Sequence, residues 1–155
     1  MGKRVILSFG AALMAVRCLA ATVTVNEVCY KNSATADASG YTGADWIELY
    51  NAGSTPVNML GWYLSDNPEK PLRWQMPDAE IAPGGFLVVF ASGKDVRGRE
   101  IHTGFSLSAG ETVILSTPLG NAADSVELPL IAADHSWARD ESGAWSERAV
   151  PTPGR

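Results

Sequence analysis

The sequence predicts an all-β domain of the sandwich or barrel class, preceded by a short N-terminal segment of a different kind. Short apolar or alternating runs follow one another at close intervals, and clusters of Gly, Pro, Asn and Asp separate them. After residue 21, no stretch shows the apolar stripe of a helix of three turns. The chain has 155 residues, which suffices for one domain of ordinary size.

Residues 1–21 are predicted to be a secretory signal peptide. They have a basic start, an apolar run over residues 5–16 and a small-residue end at Ala20 and Ala21. The apolar run is about 12 residues, too short to span ~30 Å of hydrocarbon as a helix. We therefore expect a mature domain of residues 22–155 that is secreted, either into the periplasm or to the cell surface.

Two alternatives for this segment stay open. One is a buried N-terminal helix, and the other is a lipoprotein whose acceptor is Cys18. A small residue should precede such an acceptor, and Arg17 does not meet that requirement. Since Cys18 leaves with a signal peptide, no internal disulfide can form, and Cys29 is expected to be a buried free thiol in the first strand.

The charge of the mature chain argues against one class of partner. Removal of Lys3, Arg4 and Arg17 reduces the basic residues from 12 to 9, while all 17 acidic residues remain, so the formal net charge falls from −5 to −8. An acidic surface repels phosphate backbones, and nucleic-acid binders normally carry a basic patch. We therefore expect no nucleic-acid partner.

The first half of the domain is predicted to hold four strands. Residues 22–26 alternate polar and apolar, so that one face of a strand can be buried. Residues 32–43 are rich in small polar residues and glycine and are predicted to form a loop. Strands then follow at 46–50, 62–65 and 72–76, each ended by a turn residue or a cluster of them.

The second half is predicted to hold one central strand and two hairpins. The turn residues 83–85 precede the continuous apolar run 86–91, which is typical of a central strand covered on both faces. The last residues, 150–155, contain two prolines and cannot add a central strand. The predicted hairpins pair 112–116 with 125–128, and 136–139 with 144–145.

Many of these segments, in order, resemble blocks of bacterial lamin tail domains. The most specific are DWIELYN at 45–51, LGWYLSD at 60–66, IAPGGFLVV at 81–89, HTGFSLS at 102–108 and PTPG at 151–154. Shorter similar blocks are NEV at 26–28, WQMP at 74–77, GETV at 110–113 and LG at 119–120. The resemblance covers nearly the whole mature chain, and it implies an immunoglobulin-like β-sandwich over residues 22–155.

The same resemblance implies a binding or scaffolding module and not an enzyme. The family has no shared catalytic residues to carry over, and its bacterial members resemble secreted accessory modules. We expect a secreted or cell-surface module whose partner is an unknown protein or a surface glycan, with no membrane span and an undetermined oligomeric state. The alternatives are a small secreted hydrolase using surface carboxylates, and a structural spacer from a truncated multidomain protein.

The five tryptophans divide into two predicted groups. Trp46, Trp62 and Trp74 lie in predicted strands and are expected to be core residues. Trp137 and Trp145 lie in the last hairpin and are the candidate ligand-binding residues, because exposed aromatic faces can support sugar rings or a protein partner.

Both histidines and two strand glutamates are of the residue types that can carry chemistry. Zinc sites need clustered ligands, and the spacing around His102 and His135 contains no such motif, so His102 is expected to make hydrogen bonds from a loop. His135 with Asp134 and a serine offers a catalytic triad only on paper. Glu27 and Glu48 are expected to be solvent-facing or hydrogen-bonded strand residues and not an acid–base pair.

No cofactor or metal is expected from the sequence. Calcium is kept as an alternative, because several aspartates lie in predicted loops, although none is part of a twelve-residue calcium loop. The ordinary role of such residues is to accept hydrogen bonds from turn amides. The aspartates concerned are Asp37, Asp66, Asp78, Asp124, Asp134 and Asp140.

Overall fold

The computed structural model describes residues 22–155, so the predicted signal peptide lies outside the described residues. Within 22–155 the chain forms strands and turns, and no helix there is long and apolar enough to cross a membrane. The strands are β1 (Val23–Cys29), β2 (Asp45–Asn51), β3 (Val57–Asn58), β4 (Tyr63–Ser65), β5 (Trp74–Gln75), β6 (Glu80–Ile81), β7 (Phe86–Ala91), β8 (Val96–Arg97), β9 (Ile101–His102), β10 (Thr112–Ser116), β11 (Ala122–Glu127), β12 (Ser136–Arg139) and β13 (Trp145–Arg148).

The strands build two main sheets and one small one. The seven-stranded sheet has the order β13-β12-β1-β2-β7-β9-β8, and the four-stranded sheet has the order β11-β10-β4-β5. Strands β3 and β6 form a separate pair. All pairings are antiparallel except that of β7 with β9. The fold is an immunoglobulin-like β-sandwich, as the sequence predicts.

The hydrophobic core lies between the two main sheets. Ile47, Leu49 and Val89 contribute to it from the seven-stranded sheet, and Leu64 and Leu115 contribute from the four-stranded sheet. All five are fully buried. Burial on this scale supplies the main stabilising term of a domain that has no disulfide among its described residues.

A β-bulge in β1 decides which side chains of that strand enter the core. The pairing of β1 with β2 shifts register between Val25 and Glu27, so that Asn26 is an extra residue. Val25 and Val28 therefore both face the core, whereas Cys29 packs on the other side of the sheet. Simple alternation along β1 would put Val25, Glu27 and Cys29 on one face, but the bulge turns Val25 to the core and Cys29 to the other side. Cys29 itself is a buried free thiol, as predicted.

Every predicted strand has a counterpart in the structure, and the strands that were not predicted are very short. Both predicted hairpins form, as β10 with β11 and β12 with β13. The segment 72–76 keeps only two strand residues, in β5. Strands β3, β6, β8 and β9 were not predicted, since two residues carry no periodicity that a sequence pattern can reveal.

The central apolar strand is covered more fully at one end than at the other. In β7 the residues Val89, Phe90 and Ala91 are buried, whereas Phe86, Leu87 and Val88 are partly exposed. The expectation of two covered faces therefore holds for the second half of the strand. The open first half leaves room for the groove described below.

The predicted core tryptophans occupy three different settings. Trp74 is buried in the main core, and Trp62 is partly buried against it. Trp46 is fully buried, but in a second, smaller cluster with Cys29, Ala44 and Phe90 on the far side of the seven-stranded sheet. The seven-stranded sheet is therefore buried on both of its faces around Trp46.

Candidate functional site

The face of the seven-stranded sheet that points away from the core is called the outer face here, and it is organised in three zones. Along β2, Trp46, Glu48 and Tyr50 point to it, while the intervening residues enter the core. Trp46 belongs to the small apolar cluster, Glu48 forms a polar zone in the middle, and Tyr50 forms an aromatic zone with Phe86 of β7.

The polar zone consists of two carboxylates, Glu27 and Glu48, which are called the carboxylate pair. They are directly opposite each other in the register of β1 and β2, and both are fully buried. Glu48 accepts a hydrogen bond of 2.7 Å from the Asn26 side-chain amide. Glu27 accepts one of 2.5 Å from the Ser136 hydroxyl. The sequence left solvent-facing and hydrogen-bonded roles open for these residues, and the structure shows the hydrogen-bonded one.

The C-terminal segment 151–155 closes over the carboxylate pair. Thr152 donates to Glu27 twice, from its amide to Oε1 at 2.9 Å and from its hydroxyl to Oε2 at 2.7 Å. The Gly154 amide donates to Oε2 of Glu48 at 2.5 Å. Every oxygen of the pair therefore accepts at least one hydrogen bond, as buried carboxylates require.

Burial determines the electrostatics of the polar zone. Burial raises the pKa of Glu48 above its ordinary value, and the donors Asn26 and Gly154 oppose that rise. The nearby charge of Glu27 raises the pKa of Glu48 further, while Arg148 of β13 lowers it. The carboxylate pair is thus held by hydrogen bonds from neutral groups more than by any single positive charge.

Beside the polar zone lies an open groove of about 840 Å³, called the groove below. Its aromatic wall is the Tyr50–Phe86 pair, whose ring centroids are 4.9 Å apart with an interplanar angle of 31°. The groove runs between the starts of β1 and β7, the β12–β13 turn and the C-terminal residue. Its lining residues are Thr24, Asn26, Tyr50, Ala52, Gly84, Phe86, Arg139, Asp140, Glu141, Gly143, Arg148 and Arg155.

Three arginines line the groove in different states. Arg139 donates to Asp124 at 2.7 Å and lies over the Trp145 ring at 4.9 Å, so its guanidinium is held by the protein. Arg148 donates to the carbonyl of Arg139 at 3.2 Å. Arg155 is exposed. Arg148 also donates to the Thr152 hydroxyl at 3.4 Å, so Arg155 is the most accessible of the three to an acidic ligand, and Asp140 and Glu141 add negative charge to the lining.

Trp137 and Trp145, the ligand-binding residues proposed from the sequence, lie on the face of the β12–β13 hairpin opposite to that of Arg148. Trp137 and Trp145 stack with centroids 6.5 Å apart and an interplanar angle of 12°. Both are partly buried against the main core. By alternation along β13, Trp145 and Arg148 point to opposite faces of the sheet. The hairpin thus presents Arg148 to the groove and the tryptophan stack to its other side, while Arg139, the register partner of Trp145, lies over that tryptophan and also lines the groove.

The two histidines make hydrogen bonds with different carboxylates. His135 Nδ1 lies 2.7 Å from Oε1 of Glu147, and Asp134 accepts hydrogen bonds from the amide and the hydroxyl of Ser33. His135 and Asp134 therefore have separate partners and are not joined as in a triad. His102 is buried in β9, not in a loop, and its Nε2 lies 2.8 Å from Oε1 of Glu100.

The aspartates expected in loops as calcium candidates accept hydrogen bonds from nearby donors, and Asp124 lies in strand β11 and not in a loop. Asp66 pairs with Arg73, Asp78 with Asn58, and Asp140 accepts from the Ser142 and Ala144 amides. Asp124 accepts from the Val25 amide at 2.9 Å and thereby bridges the two sheets. Of the six, Asp37 is the one that lies in a group of three potential metal ligands within residues 22–155, and its partners there are Glu100 and His102.

Sequence reasoning missed the groove, although part of its signal was present. The alternation of β2 puts Tyr50 on the same face as Glu48, and Phe86 begins the strand after a proline–glycine turn. The pairing of Tyr50 with Phe86 depends on the register between β2 and β7, which the sequence does not reveal. The contacts of Thr152 and Gly154 with the carboxylate pair also span more than 100 residues of chain.

Comparison with known proteins gives one match. A model of the family described as Lamin Tail Domain matches residues 19–129. No curated protein and no solved structure matches the chain. The match covers the strands from β1 to β11 and ends before the β12–β13 hairpin.

Proposed function

The chain belongs to the lamin tail domain family, a family of non-catalytic immunoglobulin-like domains, and from that premise we propose that it is a secreted binding module whose ligand occupies the groove. Its partner is a cell-surface glycan or a surface protein. The secreted location is inferred from the pattern of residues 1–21, and the binding role from the geometry of the outer face.

The observation that carries the proposal is the composition of the groove wall. The tilted aromatic pair Tyr50–Phe86 and guanidinium groups lie side by side in an open groove. Ligand sites typically combine an apolar surface with a few polar groups that fix orientation. The ring faces of Tyr50 and Phe86 suit the apolar face of a sugar ring, and a guanidinium suits a carboxylate, which it can bind through two parallel hydrogen bonds.

The charge distribution favours a ligand with some acidic groups. The chain has a formal net charge of −5, with 12 basic residues in total, yet three of these line the groove. Arg148 and Arg155 provide positive charge in the groove, and the negative charges of Asp140 and Glu141 partly offset it. A glycan with scattered carboxylates fits this pattern better than a polyanion such as nucleic acid.

The β12–β13 hairpin is the central binding element in this proposal. Its turn and Arg148 line the groove, while Trp137 and Trp145 lie on its other side. We keep the two tryptophans as a second contact surface, to be tested separately from the groove.

The hydrolase alternative has less support. It requires carboxylates that are free to exchange protons with a bound substrate. The oxygens of Glu27 and Glu48 are buried and already accept hydrogen bonds from the chain itself. The spacer alternative predicts that no ligand is retained in any binding screen.

The test is a binding screen of the purified secreted protein against bacterial surface glycans and surface proteins. With a retained ligand, Tyr50→Ala should weaken binding about tenfold or more, as central interface aromatics do. Tyr63→Ala is the matched control, because Tyr63 is also a partly buried strand tyrosine but lies in the four-stranded sheet.

A second pair of variants tests the charged side of the groove. Arg155→Gln should weaken binding of an acidic glycan, and Arg99→Gln, at another exposed arginine, should not. If both tyrosine variants and both arginine variants bind like the unchanged protein, the groove is not the site. Loss of binding in Trp145→Ala alone would move the site to the tryptophan face.

A further inference from the structure

We propose that Asp37, Glu100 and His102, called the Asp37 cluster below, form a binding site for a divalent transition metal of the zinc type. The site is separate from the groove and does not depend on the proposed function. Asp37 comes from the loop between β1 and β2, and Glu100 and His102 come from the turn and strand at β9. A metal here would join two distant parts of the chain.

The geometry brings one ligand atom from each side chain into a small volume. The three ligand atoms all lie within 4.8 Å of one another. Zinc binds carboxylate oxygen and imidazole nitrogen at about 2.0–2.2 Å, so tetrahedral ligand atoms lie about 3.3 Å apart. Shifts on the order of 1 Å, shared among three side chains, would therefore complete the site.

His102 already has the second hydrogen bond that a metal-binding imidazole needs. Its Nδ1 lies 2.9 Å from the Ser92 hydroxyl, and its ring stacks on Phe90 with centroids 5.2 Å apart. A hydroxyl can donate or accept. It can therefore donate to Nδ1 while Nε2–H donates to Glu100, and it can accept from Nδ1–H when Nε2 holds a metal. Partners of this kind fix the ring orientation of ligating histidines.

The cluster already holds a cation. The Lys94 ammonium lies 3.1 Å from Oδ2 of Asp37, and its side chain is 45% exposed. Asp37 itself is buried, and three hydrogen bonds from Ser39 and Tyr41 fix its Oδ1. The buried carboxylate is therefore held in place, while the cation opposite it can swing into solvent and be replaced.

The ligand set selects the class of metal. One imidazole nitrogen with two carboxylates suits zinc and similar transition metals. Calcium takes six to eight oxygen ligands, which this cluster does not offer. The site should therefore bind zinc in preference to calcium or magnesium.

The experiment is calorimetric titration of the metal-stripped, untagged protein with zinc chloride, and separately with calcium chloride. We expect one zinc ion per chain and no measurable calcium binding. His102→Gln should weaken zinc binding by at least about 100-fold, since even a supporting partner of a ligand is worth 10–100-fold. His135→Gln is the matched control at the other histidine, and it should bind zinc like the unchanged protein.

A second variant keeps the proposal falsifiable if His102→Gln does not fold, which circular dichroism will show. Lys94→Met removes the competing cation and should tighten zinc binding up to about fivefold. The proposal is overturned if the unchanged protein does not bind zinc at one equivalent, if His102→Gln and His135→Gln bind alike, or if Lys94→Met binds zinc more weakly.

Discussion

The carboxylate pair and the Asp37 cluster both bury acidic groups, but they compensate them in different ways. Glu27 and Glu48 accept hydrogen bonds from amides and hydroxyls of the chain. Asp37 also accepts from such groups, but its second oxygen faces the ammonium of Lys94. Amide and hydroxyl donors fixed in the fold occupy the oxygens of the carboxylate pair. The Lys94 ammonium is on a mobile side chain, so another cation can take its place beside Asp37.

The two regions also differ in the direction of their pKa shifts. Burial raises the pKa of Glu48, because desolvation disfavours the charged form and the donors around it do not fully compensate. The hydrogen bond from the Ser39 hydroxyl lowers the pKa of Asp37, with help from Tyr41 and Lys94. The two pKa values thus shift in opposite directions, because desolvation is the largest effect at Glu48 and the hydrogen bond from Ser39 is the largest effect at Asp37.

The largest expected effect comes from removing the acceptor at the centre of the carboxylate pair. Glu27→Ala leaves the Ser136 hydroxyl and both Thr152 donors without their acceptor in a buried place. The free energy of unfolding, measured in urea, should fall by about 3 kcal/mol or more. Asp37→Ala should cost less, because Ser39 and Tyr41 lie in an exposed loop where water can replace the carboxylate. A larger loss for Asp37→Ala would contradict the comparison.

A smaller effect is expected from the tail that closes the carboxylate pair. Thr152→Val keeps the shape of the side chain but removes the hydroxyl that donates to Glu27. Since hydrogen bonds to charged groups contribute about 1.5–3 kcal/mol, the expected loss in unfolding free energy is about 1.5 kcal/mol. Thr117→Val is the matched control, because the Thr117 hydroxyl has no hydrogen-bond partner within residues 22–155. Equal losses in the two variants would show that the tail contact adds no stability.

The third prediction concerns pH. Because the pKa of Glu48 is raised above the ordinary value of 4.5, its ionisation is less favourable in the folded chain than in the unfolded chain. The stability that the folded chain gains from holding Glu48 protonated is therefore fully present below pH 4.5. It is lost as the pH rises through the pKa of Glu48 in the folded chain. The charged groups that face it are Glu27 of β1 and Arg148 of β13.

Glu48→Gln removes this titration and is the corresponding test. The unfolding free energy of the variant, relative to that of the unchanged protein, should be higher at pH 7 than at pH 4. The opposite trend, with the variant losing ground as the pH rises, would mean that the donors outweigh burial at Glu48. Measurement of urea unfolding at both pH values distinguishes the two.

The smallest effect on stability is expected at Cys29. It is a buried free thiol, so reductant should leave the melting temperature unchanged. Burial raises the pKa of Cys29 to about 12 from an ordinary 9.0, which lowers the thiolate fraction about a thousandfold. Labelling by iodoacetamide in the native protein should be slower than in urea by at least that factor. Rapid native labelling would show that the small cluster around Trp46 opens readily.

The strand pattern of the sequence was sufficient for the architecture. The alternation around Trp46 and Tyr50, the apolar run 86–91 and the two turn-separated hairpins all correspond to observed strands. These are local signals, because strand period and turn chemistry act over a few residues. The family resemblance read from ordered blocks of the sequence is confirmed by the family match over residues 19–129.

The candidate site was much less accessible from the sequence. The sequence places Trp137 and Trp145 in the last hairpin, but it does not reveal that they stack on each other against the core. The local sequence around His102 contains no metal-ligand spacing. The Asp37 cluster nevertheless brings Asp37 together with Glu100 and His102, which lie more than 60 positions further along the chain.

The sequence by itself determined the fold class, the strands long enough to show a period, the turns between them and the burial of Cys29. Only the tertiary structure decided which carboxylates meet, where the tail docks, and which face each residue of β1 takes after its bulge. The physical reason is that period and turn propensity are short-range properties of the chain. Register between strands and docking of the tail are set by packing and hydrogen-bond satisfaction across the whole sheet, where a shift of one residue exchanges the two faces.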